Sequence, residues 1–478
     1  VNGITGIPTM GNVGMFSTTT TGAEIKNLIL VNPQMLGVTF VGALVGYVSA
    51  STTIDNVKVE GTAGLISGEA YVGGLVGYFA AGSINNITVE GVTVQAYSTA
   101  SASHFGGVVG KIIAGTVKNI TSAANVDTTK AAVGAGNYAG GLAGSIDAGT
   151  ICSGSSVSDG CSITGSVSGY SYVGGIAGVL SSGTVCNPSV TAGQSCTSSG
   201  AITGVSNYVG GFFGQVSTGA ICNASVSSLG CTASGSVSSA SGNYVGGFVG
   251  YMGAGSICNS TVVGNGCLAS GNVSSTAGNY VGGFVGQMAG GTIGVGPSGL
   301  SELSRATGTV NGVQHVGGFV GYVVNSGTAI YDSSATGAVT GTSTGTTVGY
   351  STGANIGGFA GIIFASALIE DSYATGAVTS AGYQVGGFAG YAGYASASNQ
   401  VIIKRSYATG AVNNPARNYV GGFIGYGEYY LRVEDSYATG AVSGSSYVGG
   451  FIGDAEYSGA FLRSYAKGAV SGGGSQVG

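Results

Sequence analysis

The chain has 478 residues, with 97 glycines, 12 lysines and arginines, and 17 aspartates and glutamates. Charged residues make up 6% of it, against roughly a quarter in an ordinary soluble domain, which argues against a typical globular enzyme. Glycine without a Gly-X-Y period excludes collagen, and 44% hydrophobic residues argue against disorder. A net charge of −5 without a basic block argues against nucleic-acid binding.

The most apolar window, residues 35–48, contains three glycines and is shorter than a bilayer span. We therefore predict a core segment and no membrane span. Numbering begins at Val1 without a methionine or a leader, which predicts a processed or trimmed product.

A V-G-G-F-V-G block recurs along the whole chain at intervals of 28 to 40 residues. The first residues of the blocks are Val13, Val41, Val72, Phe105, Ala139, Val173, Val209, Val245, Val281, Val316, Ile356, Val385, Val420, Val448 and Val477. A fixed block with variable insertions is typical of repeats that stack on one another.

Each repeat predicts three short strands separated by Gly, Ser and Asn turns, as in residues 420–447, and no segment has a sustained helical period. One repeat cannot bury both of its faces, so we expect each strand to pair with its counterpart one repeat later. The prediction is an all-β parallel β-solenoid of about 14 coils over residues 1–478, right-handed by the crossover preference.

Two late segments carry a family resemblance. They are IEDSYATGAVTSAGYQVGGFAG at 369–390 and VEDSYATGAVSGSSYVGGFIG at 433–453. Both resemble the GLUG-motif repeats of bacterial surface proteins, including adhesins. The resemblance implies an extracellular β-solenoid repeat region, and because such repeats carry no catalytic residues it implies no activity.

Stacked coils place equivalent residues in columns. The residue before each block is mostly aromatic and predicts a ladder that includes Tyr138, Tyr172, Tyr208, Tyr244 and Tyr280. Both histidines of the chain, His104 and His315, lie in this column. We interpret them as stacked substitutes for tyrosine, in preference to general bases or metal ligands.

A second column predicts an asparagine ladder with hydrogen bonds along the stack. Its members are Asn27, Asn56, Asn86, Asn119, Ser153, Asn187, Asn223 and Asn259, followed by Asp332, Asp371, Arg405, Asp435 and Arg463. The late charges alternate in sign and predict ion pairs between coils. A metal or catalytic cluster of the three aspartates is the disfavoured alternative, because arginines lie between them.

Five asparagines match the N-x-Ser/Thr sequon. If the ladder members Asn86, Asn119, Asn223 and Asn259 point inward, they cannot carry a sugar. Asn272 lies outside the ladder and is a candidate glycosylation site.

A third column consists of threonines and ends in a lysine: Thr307, Thr336, Thr375, Thr409, Thr439 and Lys467. A flat threonine array can bind ice or a repetitive polymer. The sequence shows one such column, so turn and strand-edge preference is the simpler interpretation.

All eight cysteines lie in four consecutive repeats, in pairs nine or ten residues apart. The pairs are Cys152 and Cys161, Cys186 and Cys196, Cys222 and Cys231, and Cys258 and Cys267. They predict four disulfides within their own coils and an oxidising compartment. Bridges between neighbouring coils remain an alternative, whereas a zinc site is disfavoured because no CxxC knuckle is present.

From Cys161 through Ser301 the chain has no Asp, Glu, Lys, Arg or His. We therefore distinguish a disulfide-stapled uncharged section with loop insertions at 140–300 from shorter, more charged coils at 301–478. A surface without charges predicts contact with another subunit, a polysaccharide or attached glycans.

Both ends of the chain lie within the repeat phase without a distinct cap, which predicts end-to-end contacts between copies and a filament. We thus expect an extracellular structural protein of the cell surface, with no cofactor, no metal and no catalytic residue. The alternative is the stalk or binding region of an adhesin that recognises glycans or another surface. A polysaccharide-cleaving enzyme is disfavoured, because the candidates Glu428, Arg432, Glu434, Asp454 and Glu456 are interpreted as solvated edge charges.

Overall fold

The computed structural model describes residues 11–97, 104–129, 137–154, 156, 158–187, 196–223, 230–259, 266–296, 304–345, 347–349, 351–393, 400–457 and 459–478. The chain divides into two compact units, Val1–Ser236 (unit 1) and Val237–Gly478 (unit 2). These described ranges contain strands and no helix, and accordingly no helix long and apolar enough to cross a membrane.

Unit 1 consists of four stacks of parallel strands, which we number in the order in which each coil visits them. Sheet 1 contains Asn12–Val13, Phe40–Gly42, Tyr71–Gly73, His104–Gly106, Tyr138–Gly140, Val173–Gly174 and Val209–Gly210. Sheet 2 contains Phe16–Thr19, Val45–Val48, Val76–Phe79, Val109–Ile112, Ala143–Ile146, Ala177–Leu180 and Phe213–Val216. Sheet 3 contains Ala23–Val31, Thr52–Glu60, Gly82–Val89, Thr116–Ser122, Thr150–Ile151, Cys161–Ile163, Thr184–Val185, Cys196–Ser198, Ala220–Ile221 and Cys231–Ala233. Sheet 4 contains Gln34–Leu36, Gly64–Gly68, Val92–Ala96, Asn125–Asp127, Val167–Gly169 and Ile202–Gly204.

Unit 2 has the same four stacks. Sheet 1 contains Val245–Gly246, Asn279–Gly282, Gln314–Gly317, Ile356–Gly357, Val385–Gly386, Val420–Gly421 and Val448–Gly449. Sheet 2 contains Val249–Met252, Val285–Met288, Val320–Val323, Ala360–Phe364, Ala389–Gly393, Ile424–Gly427 and Ile452–Ala455. Sheet 3 contains Ser256–Ile257, Cys267–Ala269, Thr292–Ile293, Ser304–Ala306, Thr328–Tyr331, Ser333–Ala335, Ala367–Glu370, Tyr373–Ala374, Val401–Lys404, Tyr407–Ala408, Leu431–Glu434, Tyr437–Ala438, Ala460–Leu462 and Tyr465–Ala466. Sheet 4 contains Val237–Ser239, Val273–Ser275, Val310–Gly312, Val339–Gly341, Val378–Ser380, Val412–Asn413, Val442–Gly444 and Val470–Gly472.

The repeat blocks lie directly on one another within each unit, as the parallel β-solenoid prediction requires. In unit 1 Val41 is the register partner of Val72, and in unit 2 Val385 is the partner of Val420. The described strands pair in parallel, and each pairs with its counterpart one repeat away. The fold class is therefore confirmed, whereas the single continuous solenoid over residues 1–478 and its handedness stay predictions.

The core of unit 2 contains a file of stacked phenylalanines from the repeat blocks. Successive rings from Phe248 through Phe451 have centroids 4.7–5.0 Å apart and interplanar angles of 3–15°. The glycines before them are required by the tight stacking: a Cβ on Gly387 would lie 2.1 Å from the carbonyl oxygen of Gly422. Phenylalanine thus fills the interior while glycine lets neighbouring coils approach.

The coils contain more strands than the three predicted. The repeat block forms two strands, because the chain bends between Gly386 and Ala389. In late coils sheet 3 also splits into two short strands at a corner, as at Val401–Lys404 and Tyr407–Ala408, which gives five strands in that coil. The alternation of apolar and polar residues in the sequence does not indicate where the chain bends within a repeat.

Candidate functional surface

In each unit, aromatic residues of the column that precedes the repeat blocks stack on one another, and in unit 2 Asn355 and Gln384 interrupt this stack. In unit 1 the ring centroids of Tyr138, Tyr172 and Tyr208 follow at 4.9 and 4.5 Å. In unit 2 those of Tyr244 and Tyr280 are 5.4 Å apart. These distances are typical of aromatic pairs, so the ring faces of this column are covered by their neighbours.

Both histidines lie inside this stack. The His104 ring lies between Tyr71 and Tyr138 at 4.8 and 4.7 Å, and its burial lowers its pKa to about 3. The His315 ring stacks on Tyr280 at 5.1 Å, and burial lowers its pKa to about 4. Both imidazoles are therefore neutral near pH 7 and occupy the place of a tyrosine.

Early members of the asparagine column hydrogen-bond along the stack at a corner of the coil. Asn56 Nδ2 donates to Asn27 Oδ1 at 2.7 Å, and Asn86 Nδ2 donates to Asn56 Oδ1 at 3.1 Å. All three have left-handed backbone, with φ of 53–57°, which asparagine adopts readily.

The assumption that these asparagines point inward is wrong. Asn56 and Asn86 are exposed, because the left-handed corner turns the side chain outward while the amides still reach each other. Burial therefore gives no reason to disregard the sequon at Asn86. Asn272 is also exposed, and its Oδ1 accepts a hydrogen bond from the backbone of Thr309 at 3.0 Å.

The asparagine column changes its geometry in the cysteine-containing coils. The left-handed residue moves one position earlier, onto Cys152 and Cys186 with φ of 50° and 56°. Side-chain oxygens of Ser153 and Asn187 then accept hydrogen bonds from the backbone N–H of Asn187 and Asn223, each at 2.8 Å. The column persists here as side-chain-to-backbone contacts, and Asn259 of unit 2 is exposed at its own corner.

Four disulfides join the cysteines within their own coils. They are Cys152–Cys161, Cys186–Cys196, Cys222–Cys231 and Cys258–Cys267. The alternative of bridges between coils is not what the structure forms. Sulfurs of neighbouring coils in unit 1 lie within 4.8 Å of one another, but a sulfur in a disulfide offers no thiolate to a metal.

Opposite charges pair between coils in the late part of the asparagine column. Arg405 donates two hydrogen bonds to Asp371, both at 2.7 Å, and Arg463 donates two to Asp435 at 2.5 and 2.9 Å. Arg405 also contacts Glu370 at 2.7 Å. Two of the three aspartates of the disfavoured metal cluster are thus engaged by arginine.

Asp332, the first aspartate of the column, lies one coil before Asp371 and is buried. Its pKa is raised to about 6 by burial and by the nearby carboxylates of Asp371 and Glu370. Among the described residues its Oδ2 has no hydrogen-bond partner.

The interpretation of the last charged residues as solvated edge charges is wrong for Glu434. This side chain is buried, because it lies next to a corner and contacts Arg432, with Lys404 at 3.9 Å. Glu428 accepts a hydrogen bond from the hydroxyl of the fully buried Tyr391. Both carboxylates therefore contact side chains of their own unit.

The structure adds a second aromatic column that the sequence analysis did not identify. Tyr373, Tyr407, Tyr437 and Tyr465 stack with centroids 4.7, 5.0 and 5.2 Å apart and interplanar angles of 2–7°. These rings lie on the outer side of sheet 3, beside the exposed threonine column. Their recurrence in the S-Y-A-T-G-A-V segments was the signal that could have revealed them.

Comparison with known proteins identifies one motif. The GLUG motif matches residues 416–443, which contain strands of all four sheets of unit 2. The matched residues overlap the second of the two segments that resemble GLUG repeats, 433–453. Neither the curated proteins nor the solved structures gave a match to this chain.

Proposed function

Because residues 416–443 carry a GLUG motif and both units are stacked parallel coils, we propose that the chain is an extracellular structural repeat protein of the cell surface, without chemical activity of its own. Its repeats serve as a rigid scaffold that assembles with further copies into a filament or a surface layer.

One observation supports the structural role: both histidines and two of the three aspartates of the late column contact residues of neighbouring coils. The two imidazoles are stacked in an aromatic ladder, and Asp371 and Asp435 are each held by an arginine. Such contacts fix register and orient neighbouring coils.

The cysteines support an extracellular location. All eight are in disulfides, each closing a loop of its own coil. Disulfides persist in oxidising compartments and are rare in the cytosol. Alkylation of freshly secreted protein without reduction tests this proposal: we expect all eight cysteines to stay unmodified, and modification of several would contradict it.

The uncharged section supports assembly. Exposed positions there carry hydroxyl and methyl groups, as at Ser199, Ala201 and Ser234 of unit 1. Surface charges normally oppose association of sheet faces and edges, and here they are missing. Contacts between the uncharged surfaces of neighbouring copies would then join copies into a filament or a layer.

Electron microscopy and light scattering of the full chain test assembly. We expect filaments or layers from the wild type, and smaller particles after Ser199→Lys with Ser234→Lys. Thr121→Lys, at an exposed strand position in the charged part of unit 1, is the matched control and should assemble as the wild type does. Dispersed wild-type monomers at working concentration would refute the proposal.

The second candidate function is the stalk or binding region of an adhesin. It is favoured by the exposed hydroxyl groups of Thr375, Thr409 and Thr439, because hydroxyl groups can donate and accept the hydrogen bonds that sugars require. A glycan array probed with the full chain distinguishes the two functions: binding to a defined glycan without self-association favours the adhesin.

A further inference from the structure

Three disulfide-containing coils follow one another in unit 1, and we call the six sulfurs of their disulfides the sulfur file. The file consists of Cys152–Cys161, Cys186–Cys196 and Cys222–Cys231. The second cysteines of the pairs are register partners in neighbouring strands, Cys161 with Cys196 and Cys196 with Cys231. The first cysteines also lie one coil apart, since the backbone N–H of Cys186 donates to the carbonyl oxygen of Ile151 at 2.9 Å. Stacking therefore brings separate disulfides together, because neighbouring strands are about 4.8 Å apart.

The first cysteine of a pair lies beside the disulfide of the next coil. The Sγ atom of Cys152 is within 4.8 Å of the Sγ atoms of Cys186 and Cys196. Cys186 has the same relation to Cys222 and Cys231. A change of side-chain rotamer is enough to close a gap of this size. A thiolate at the first cysteine would therefore have a disulfide within reach.

The two cysteines of a pair are not equivalent. Among the described residues, Cys161 belongs to neither of the two groups of close sulfurs, and Cys196 belongs to the group with Cys152 but not to the group with Cys222. The Sγ atom of Cys196 lies 3.6 Å from the carbonyl oxygen of Cys152, so this sulfur is directed toward the preceding coil. Contacts between disulfides thus run in one direction, from the first cysteine of one coil to both cysteines of the next.

Burial restricts what a free thiol in the file can react with. All six cysteines are 1–3% exposed, so thiols in solution have little access to them. Thiol–disulfide exchange depends on access as well as on the ionisation of the attacking thiol. A reaction within one chain also avoids the entropy cost of bringing two molecules together. The disulfide of the next coil is therefore the favoured partner of a thiolate at Cys152.

We propose that the sulfur file exchanges disulfides between coils and so passes a free thiol along unit 1. In the first step the Cys152 thiolate forms a bond to the Sγ atom of Cys196. The Cys186–Cys196 bond breaks, its electron pair stays on Cys186, and Cys186 becomes the thiolate. In the second step Cys186 forms a bond to one sulfur of the pair Cys222 and Cys231 and releases the other as a thiolate. Each step keeps the number of disulfides and thiolates, so neither an oxidant nor a reductant is consumed.

Such exchange lets unit 1 rearrange its cross-links during folding. The starting thiolate is present at Cys152 whenever the disulfide of the first coil has not yet closed. Exchange then moves the open position from the first coil to the third, and the reverse reaction returns it. The three disulfides thereby act as one connected redox unit and not as three independent bridges.

The test places one free thiol in the file and follows it. Cys161→Ala leaves Cys152 as the only thiol of the chain, because the other cysteines are in disulfides. Cys152→Ala is the matched control, since it removes the same disulfide and leaves the thiol at Cys161. The full chain is incubated at mildly alkaline pH, where thiolate is present, then quenched in acid, unfolded and alkylated with N-ethylmaleimide for peptide mass spectrometry.

We expect the label to move in Cys161→Ala and to stay at Cys161 in the control. Label at Cys186, and at Cys222 or Cys231, should exceed that in the control several-fold. Label confined to Cys152 would overturn the proposal, as would equal exchange in both variants. Label that reaches Cys196 and none of the later cysteines would also overturn it, because the thiol would not be passed on.

A further variant tests whether the steps are sequential. Cys161→Ala combined with Cys186→Ala and Cys196→Ala removes the second disulfide, and the label should then stay at Cys152. Label in the third pair would contradict transfer through the second coil. Equal melting temperatures of Cys161→Ala and Cys152→Ala would show that loss of their shared disulfide affects the fold of both alike.

Oxidative refolding of the reduced wild type gives a readout that needs no substitution. Intermediates quenched in acid should contain peptides linked through Cys152 and Cys196, because this bridge is the product of the first exchange step. Absence of this linkage at every time point would contradict the proposal even if a variant failed to fold.

Discussion

Left-handed backbone at individual residues sets the shape of each coil. The corner of sheet 3 is left-handed at Asn56, Asp371 and Arg405, with φ of 53°, 52° and 45°. A second left-handed corner precedes the repeat block, as at Tyr208 with φ of 64°. Left-handed backbone is strained at residues other than glycine. Contacts between equivalent side chains on neighbouring coils offset this strain.

Gly387→Ala should destabilise unit 2. The new Cβ would lie 2.1 Å from the carbonyl oxygen of Gly422, a backbone atom that cannot move aside without shifting a coil. Overpacking of this kind typically costs about 1–3 kcal/mol in free energy of unfolding. Urea unfolding measures the loss. Gly473→Ala is the control, since a Cβ there meets nothing within 4 Å and stability should not change.

His104 should make stability fall on acidification. Its pKa is lowered to about 3 in the folded chain, so between that value and about 6.5 the unfolded chain binds a proton that the folded chain does not. Unfolding is therefore favoured as the pH falls through this window, by at most about 1.4 kcal/mol per pH unit for one histidine.

Urea unfolding at pH 7.5 and at pH 5 measures this dependence. His104→Tyr restores the residue that Tyr71 and Tyr138 supply in the neighbouring coils, and it should reduce the difference between the two pH values. An unchanged difference would show that the imidazole titrates normally in the folded chain.

At the scale of elements, the same corner is held by different chemistry in different coils. Amide pairs hold it in early coils, disulfides in the cysteine-containing coils and arginine–carboxylate pairs in late ones. The amide pairs and the arginine–carboxylate pairs join neighbouring coils, whereas each disulfide joins two segments of its own coil, where several strands contain two or three residues. Short strands depend on such added contacts for register.

Removing one disulfide by Cys222→Ala with Cys231→Ala should lower the free energy of unfolding by about 2.5 kcal/mol in the chain-entropy model for a loop of this length. Urea unfolding under non-reducing conditions gives the difference. Ser199→Ala, at an exposed position of the same unit, should have little effect. Equal stability of the double variant and the wild type would show that the loop needs no covalent closure.

Arg405→Ala should cost more stability than Arg463→Ala. Arg405 pairs with the buried Glu370 as well as with Asp371, so its loss leaves a buried carboxylate without its cation, which costs about 1–3 kcal/mol. Arg463 pairs mainly with the exposed Asp435. Thermal unfolding of both variants compares the two losses, and a larger loss for Arg463→Ala would contradict the assignment.

At the scale of the whole molecule, association between copies depends more on where the charged residues lie than on the net charge. The net charge is −5, yet no ionisable Asp, Glu, Lys, Arg or His occurs from Cys161 through Ser301. Long-range repulsion between copies is weak where charges are missing, and contacts of hydroxyl and methyl groups then decide association.

Association of the wild type should therefore be insensitive to salt. Light scattering at low and high sodium chloride measures this directly, and we expect the same particle size in both. The Ser199→Lys and Ser234→Lys variant should associate more readily as salt screens its added charges. Dispersal of wild-type assemblies by salt would show that charged residues outside the uncharged section hold them together.

Sequence alone determined the stacking, because a block that recurs at 28 to 40 residues can bury its face only against its own copies. The sequence also identified the aromatic column, the cysteine pairs and the alternation of charge. Coils that stack in register place equivalent residues of successive repeats above one another, so a residue that recurs in the sequence forms a column. Tertiary structure decided which columns face outward: Asn56 and Asn86 are exposed, Glu434 is buried, and Thr375 is exposed while Tyr373 is half-buried. The reason is that left-handed corners and bends within a repeat reverse the direction of side chains, and these depend on how closely the backbones of neighbouring coils approach.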